Sequence, residues 1–209
     1  MPSFEFEKLY TNKTIYGIDE AGLGPLAGPI VVASCYIQNQ SLSDELLENI
    51  NDSKKLTKKK REYLFEIITN TSNIEYSIAI IENNSIDEIG LANAWKHGII
   101  NSVKDKFPNV CLIDGIKKFA IPNCISISIV KGDQKSFSIA SASIIAKVTR
   151  DRLMQKVHDE FPEYGFDKHV GYGTKQHIET LMRLGPCKYH RLSYAPVKLA
   201  ASNLEEAFN

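Results

Sequence analysis

Short apolar runs alternate with longer amphipathic stretches along most of this chain. Residues 14–18 form one such run, and 30–37 form a nearly continuous one rich in Val and Ile, the pattern of a buried strand. Residues 75–81, 110–113 and 124–130 read as three further strands, the last alternating Ile with Ser. Between them the apolar spacing changes to that of a helix. Thr57 opens a helix over 58–68, with Tyr63, Leu64, Ile67 and Ile68 on one face. Residues 85–107 carry Ile89, Ala92, Trp95, Ile99 and Val103 at helical spacing. A third helix over 135–158 holds Ala140, Ser141, Ala142 and Ser143 in its first half, and such small residues let a helix lie close on a sheet. A final helix is expected over 175–184, stopped by Gly185-Pro186. This order predicts an α/β domain, a mixed sheet flanked by helices, with a helical C-terminal part.

Several of the predicted strands end on acids. The first delivers Asp19 and Glu20, followed at once by the glycine- and proline-rich run Ala21-Gly22-Leu23-Gly24-Pro25-Leu26-Ala27-Gly28-Pro29. The fourth ends at Asp114-Gly115 and the fifth at Gly132-Asp133. One Asp-Gly is ordinary turn chemistry. Three loci at strand ends point to the crevice that α/β sheets use as a site. Four carboxylates drawn together repel one another unless a cation sits among them. All the donors are oxygen, which favours Mg²⁺ or Mn²⁺ over zinc. Asp151 competes for the fourth place, but roughly 27 Å of helix would separate it from Asp133. Arg150-Asp151-Arg152 is expected to make surface or interhelical ion pairs.

Size and charge narrow the field further. At 209 residues with 43% hydrophobic content, one soluble domain is expected. The start of the chain lacks the basic and apolar segments of a secretory signal, and no apolar stretch reaches membrane-spanning length, so a cytoplasmic location is expected. Cys35, Cys111, Cys124 and Cys187 show no CxxC spacing and read as free thiols. Basic and acidic residues balance at 25 each, which argues against a general polyanion coat. Charge is local instead: Lys54, Lys55, Lys58, Lys59, Lys60 and Arg61 crowd one stretch.

In sum of motifs the chain resembles the ribonuclease HII family. Tyr16-Gly-Ile-Asp-Glu-Ala-Gly is similar to that family's opening motif, and Asp52-Ser53-Lys54-Lys55-Leu56, Leu112-Ile113-Asp114-Gly115 and Lys131-Gly132-Asp133 match later blocks in order. So do the block from Ala142 to Asp151, His169-Val170-Gly171-Tyr172-Gly173-Thr174-Lys175, and His190-Arg191. The resemblance covers 16–197. It implies an RNase H-like fold, with a core over about 14–160 and a substrate-binding helical segment over about 161–209 of one catalytic domain. It also implies a metal-dependent endonuclease for RNA–DNA hybrids and for single ribonucleotides embedded in duplex DNA, leaving 3′-hydroxyl and 5′-phosphate ends. The family's catalytic, metal-holding carboxylates fall on Asp19, Glu20, Asp114 and Asp133, with a two-metal mechanism. Gly22, Leu23 and Gly24 would bring backbone to the ribose 2′-hydroxyl, and Tyr172 would stack on the neighbouring sugar. Lys54, Lys55 and Lys175 would contact phosphates. His169, His177 and His190 would serve loop structure, and a monomer suits closure around a duplex.

Two positions depart from the family pattern. Leu23 stands where the family carries Arg between the glycines, and Ile116 where it carries Asn. The alternatives are a catalytically weakened hybrid-binding protein and a ribonuclease H that needs runs of ribonucleotides. A nucleotide-binding enzyme is disfavoured because no GxxxxGK[ST] is present.

Overall fold

The computed structural model describes residues 1–51, 53–116 and 119–208, with 204–208 by backbone alone. Asp52, the first residue of the lysine-bearing motif, therefore lies outside the described residues. In chain order the elements are α1 (Glu5–Lys8), β1 (Ile15–Ala21), β2 (Ile30–Ile37), α2 (Asp44–Asn49), α3 (Lys58–Asn70) and β3 (Ile74–Ile81). They continue with α4 (Asn83–Ile89), α5 (Leu91–Val103), β4 (Val110–Asp114), β5 (Ile125–Ile129), α6 (Phe137–Glu160), α7 (Phe166–His169), α8 (Lys175–Leu184) and α9 (Ala195–Phe208).

The strands make one sheet in the order β3-β2-β1-β4-β5. β1 runs antiparallel to β2, with Asp19 opposite Ala33. It runs parallel to β4, with Ile18 opposite Ile113, and β4 runs parallel to β5, with Asp114 opposite Ile129. The mixed sheet flanked by helices is the expected fold class.

The chain divides into two compact units, the first made of residues 1–21, 31–79 and 96–148, the second of 22–30, 80–95 and 149–209. In the first, Ile15, Val110, Leu112, Ile129 and Ile139 form a core cluster with Phe6, Tyr10 and Ile127 against it. Gly17 explains how closely α6 approaches β1. A Cβ there would sit 2.2 Å from the Ile139 backbone nitrogen, so only glycine fits. The small residues of α6 serve the same contact: Ala140, Ser141 and Ala142 are fully buried. In the second unit, Ala27 packs with Met154, Val157, Tyr164 and Phe166, and Leu26 packs with Leu181, Val197 and Ala200.

Beyond the short helices α1, α2 and α7, which the pattern did not predict, the elements differ from expectation in three places. β1 extends past residue 18 and carries Asp19 and Glu20 within the strand. The helix expected over 85–107 is two helices, because Gly90 takes φ 78° at the end of α4, a conformation that ends an α-helix. The helix over 175–184 is not the last, since α9 follows it. Pro196 in its first turn was the readable start signal. Among the described residues no helix is long and apolar enough to cross a membrane.

Candidate active site

Strand register assembles the carboxylates in the first unit. Because Ile18 lies opposite Ile113 on parallel β1 and β4, Asp19 and Asp114 follow as neighbours on strands ~4.8 Å apart. Residues in register share a face of the sheet. The third locus is tied on by a hydrogen bond: the Gly132 N–H donates to Asp114 Oδ1 at 2.6 Å. Asp133, next in the chain, is buried in the 3₁₀ turn Gly132–Gln134. Lys131 enters that turn at φ 54°, a left-handed conformation that reverses the chain after β5.

Asp19 is the most constrained of the four. It is 5% exposed, and its Oδ1 accepts the Glu20 N–H at 2.8 Å. Burial first, then the negative charges of Glu20 and Asp114, push its carboxyl well above the usual carboxylate range. Hydrogen bonds from the Ser143 hydroxyl and the Glu20 backbone pull the other way. Ideal strand alternation would send Asp19 and Glu20 to opposite faces, yet Glu20 is the stronger electrostatic neighbour. Asp19, Glu20 and Asp114 therefore share one field.

This donor set suits a hard divalent cation. All the ligating atoms are oxygen, and a cation among the carboxylates would remove the repulsion that raises Asp19. Among the described residues no three His, Cys, Asp or Glu side chains are already drawn together closely enough to hold a metal ion. An open arrangement is the one Mg²⁺ uses when water and substrate phosphate complete its shell.

Ser53 and Ser143 were visible in motifs but had no role assigned from sequence. Their hydroxyls lie 2.9 Å apart and are both buried, so a hydroxyl chain runs Ser53–Ser143–Asp19. Arg61, counted among the basic cluster, donates to the carbonyls of Ser53 and Leu56 and so anchors this segment. Lys54 and Lys55 are exposed beside it. Ile116 is exposed and lines a groove of about 670 Å³ with Phe119 and Cys124.

The other expected substrate contacts lie in the second unit. Gly22 is buried with φ 105°. Gly24 is exposed, and a Cβ on it would lie 3.4 Å from the Tyr172 ring. The glycine loop and Tyr172 are thus brought together. Tyr172 is itself 46% exposed. Lys175 opens α8 and is exposed, 3.8 Å from Glu179.

The histidines hold this surface from within. His177 Nδ1 lies 2.9 Å from the Tyr172 carbonyl, an acceptor, so Nδ1 carries the proton. His177 Nε2 then accepts from His190 Nε2, 3.0 Å away, and His190 Nδ1 accepts the Cys187 N–H at 3.0 Å. One neutral tautomer satisfies the whole ladder. Protonating either ring would set two N–H groups face to face. Burial, and for His190 the neighbouring His177, press both down to about 4.

Arg150 overturns its expectation. Among the described residues it makes no ion pair; it is 1% exposed, with Nε on the Pro29 carbonyl at 2.9 Å, Nη2 on Ala27 at 3.1 Å and Nη1 on Val170 at 3.0 Å. Arg191 is likewise buried against the glycine loop. A guanidinium buried on carbonyls leaves no periodic signal in a sequence, which is why neither residue was given this role.

Comparison with known proteins gives the family. Residues 16–197 match the family described as Ribonuclease HII. A Ribonuclease HII of Caldicellulosiruptor bescii is 46% identical over 198 residues, covering 91% of this chain and 92% of that protein. One from Chlamydia trachomatis serovar L2 is 43% identical over 205 residues, covering 93% and 91%. Among solved structures, ribonuclease H2 from Pyrococcus horikoshii OT3 superposes with a TM-score of 0.80 at 23% identity, covering 92% of this chain and 99% of that one. Bst-RNase HIII in complex with Mn²⁺ superposes with a TM-score of 0.70 at 18% identity, covering 99% and 75%.

Proposed function

Because this chain belongs to the ribonuclease HII family and is thereby an endonuclease of the ribonuclease H class, we propose that it cuts at ribose in duplexes. Its substrates are the RNA strand of RNA–DNA hybrids and single ribonucleotides embedded in duplex DNA. Cleavage falls 5′ of the ribonucleotide and leaves 3′-hydroxyl and 5′-phosphate ends. The observation that carries this reading is the register of β1, β4 and β5, which sets Asp19 beside Asp114 and hangs Asp133 from Asp114 through Gly132.

Asp19, Glu20, Asp114 and Asp133 would hold two Mg²⁺ or Mn²⁺ ions, which supply activation of the attacking water and charge relief at the leaving 3′-oxygen. A Mn²⁺ complex of a structural neighbour supports that choice of ions. The chain does the rest. Ser143, braced by Ser53, fixes the Asp19 carboxylate. Gly24 and Leu23 present backbone to the ribose, where the 2′-hydroxyl separates RNA from DNA. Tyr172 packs on the adjoining sugar without reading its base. Lys54, Lys55 and Lys175 contact phosphates, and the enzyme works as a monomer.

The test is cleavage of a DNA duplex carrying one ribonucleotide, beside an all-RNA hybrid, with Mg²⁺ or Mn²⁺. Cutting of both, with products that a polymerase extends and a ligase accepts, is expected. Cutting of the hybrid alone would make the enzyme one that needs ribonucleotide runs. Binding without cutting of either would make it a hybrid-binding protein.

A further inference from the structure

The glycine loop is held inside out. Arg191 Nη2 donates to the Gly22 carbonyl at 2.6 Å, and Nη1 to Leu23 at 3.1 Å. Nε and Nη2 also reach the Gly28 carbonyl, at 3.0 and 2.9 Å. Tyr194 braces this grip: its hydroxyl accepts from Arg191 Nη1 at 3.0 Å and donates to the Leu23 carbonyl at 3.2 Å. Arg150 holds the carbonyls of Ala27 and Pro29 further along. Its Nε lies where a Gly22 Cβ would be, 2.3 Å away, so the arginine packs directly on the loop backbone.

In a trans peptide the C=O and the following N–H point in opposite directions. Turning the Gly22 and Leu23 carbonyls onto a buried guanidinium therefore turns the Leu23 and Gly24 N–H groups away from it. Among the described residues neither N–H has an acceptor. Gly24 is exposed beside Tyr172. Two donors are thus aimed outward at the place where a sugar would lie against the Tyr172 ring.

The arrangement is expensive if it serves folding alone. Arg150 and Arg191 are both buried, and the charge of Arg191 disfavours that of Arg150. Their hydrogen-bond partners are carbonyls and one tyrosine hydroxyl. Buried charges without a bonded counter-ion lower stability, whereas a fork of several fixed N–H donors can pin successive carbonyls in one geometry.

We infer that Arg191, braced by Tyr194, is a positioning residue for ribose recognition, holding the Gly22 and Leu23 carbonyls so that the Leu23 and Gly24 N–H groups point at the 2′-hydroxyl. This rests on the activity proposed above and adds where its sugar selectivity comes from. With leucine at position 23, no loop side chain can donate, so the clamped backbone carries the discrimination.

The test is the ratio of dissociation constants for an all-DNA duplex and the same duplex with one ribonucleotide. It is measured with Ca²⁺ in place of the activating cation. A ratio is unmoved by a smaller folded fraction, so a merely structural loss leaves it intact. Tyr194→Phe should lower the ratio roughly three- to tenfold, the worth of one hydrogen bond, with little change in affinity for DNA alone. Arg191→Lys, which keeps charge but loses the fork, should lower it further, and Arg191→Met further still. If the Arg191 variants do not fold, Tyr194→Phe decides. An unchanged ratio in Tyr194→Phe, beside a wild type that prefers the ribonucleotide, overturns the inference. A wild type without preference overturns the ribose reading itself, a separate failure.

Discussion

A single carboxylate shows how function opposes stability here. Asp19 is buried beside Glu20 and Asp114, and its charged form is disfavoured in the fold. A carboxylate with a raised pKa costs stability at every pH where it is ionised. Asp19→Asn should therefore abolish cleavage, by about a hundredfold or more, yet raise the melting temperature in EDTA by about 2–4 °C. Mg²⁺ should raise the melting temperature of the wild type and leave that of Asp19→Asn nearly unchanged. Differential scanning fluorimetry reads both. Leu23 makes the opposite case, a position where the proposed function would gain from a side-chain donor that leucine lacks. Leu23→Arg should tighten binding of a duplex with one ribonucleotide about tenfold, the worth of one charge-assisted phosphate contact. A titration by anisotropy checks it, and unchanged affinity and junction preference would dismiss any cost of the leucine.

Elements matter through how closely they approach. Asp19 sits two residues beyond Gly17, and α6 lies directly on Gly17. Gly17→Ala should destabilise by about 3 kcal/mol, because the intruding methyl meets helix backbone that cannot move aside. Urea unfolding measures it, and a change under about 0.5 kcal/mol, the size of a neutral surface substitution, would show that the helix shifts freely. The histidine ladder beneath α8 makes stability depend on pH. His177 and His190 stay neutral in the fold down to about 4, whereas an unfolded histidine protonates near 6.5. The unfolded state thus binds more protons between these values. Their contribution is complete above about pH 6.5 and is lost as pH falls towards 4, by up to roughly 3 kcal/mol per imidazole. Urea midpoints at pH 7 and pH 4.5 should differ accordingly, and His177→Gln with His190→Gln should flatten the profile.

At the scale of the whole chain, 25 basic residues balance 25 acidic ones. The proposed duplex binding would then rest on placed lysines rather than on a general field. Replacing Lys54, Lys55 and Lys175 together by Gln should reduce the slope of log affinity against log salt by about 3, one counterion per phosphate contact. A slope that does not move would place the phosphate contacts elsewhere.

The sequence by itself determined the strands and the acids at or near the ends of three of them. Strand periodicity and terminal Asp-Gly are local, so residues 30–37 and 110–113 could be read almost to the residue, and α8 to its end at Gly185. Which acids meet depended on register, a relation between segments far apart in the chain. Strand-end placement suggested that grouping, the resemblance pointed to the same four acids, and the pairing of Ile18 with Ile113 gives a physical cause for the meeting of Asp19 and Asp114. Only the tertiary structure decided the roles of Arg150, Arg191 and Ser143. A buried polar side chain is defined by the carbonyl or carboxylate it finds, and that partner is chosen by the fold, not by its neighbours in sequence.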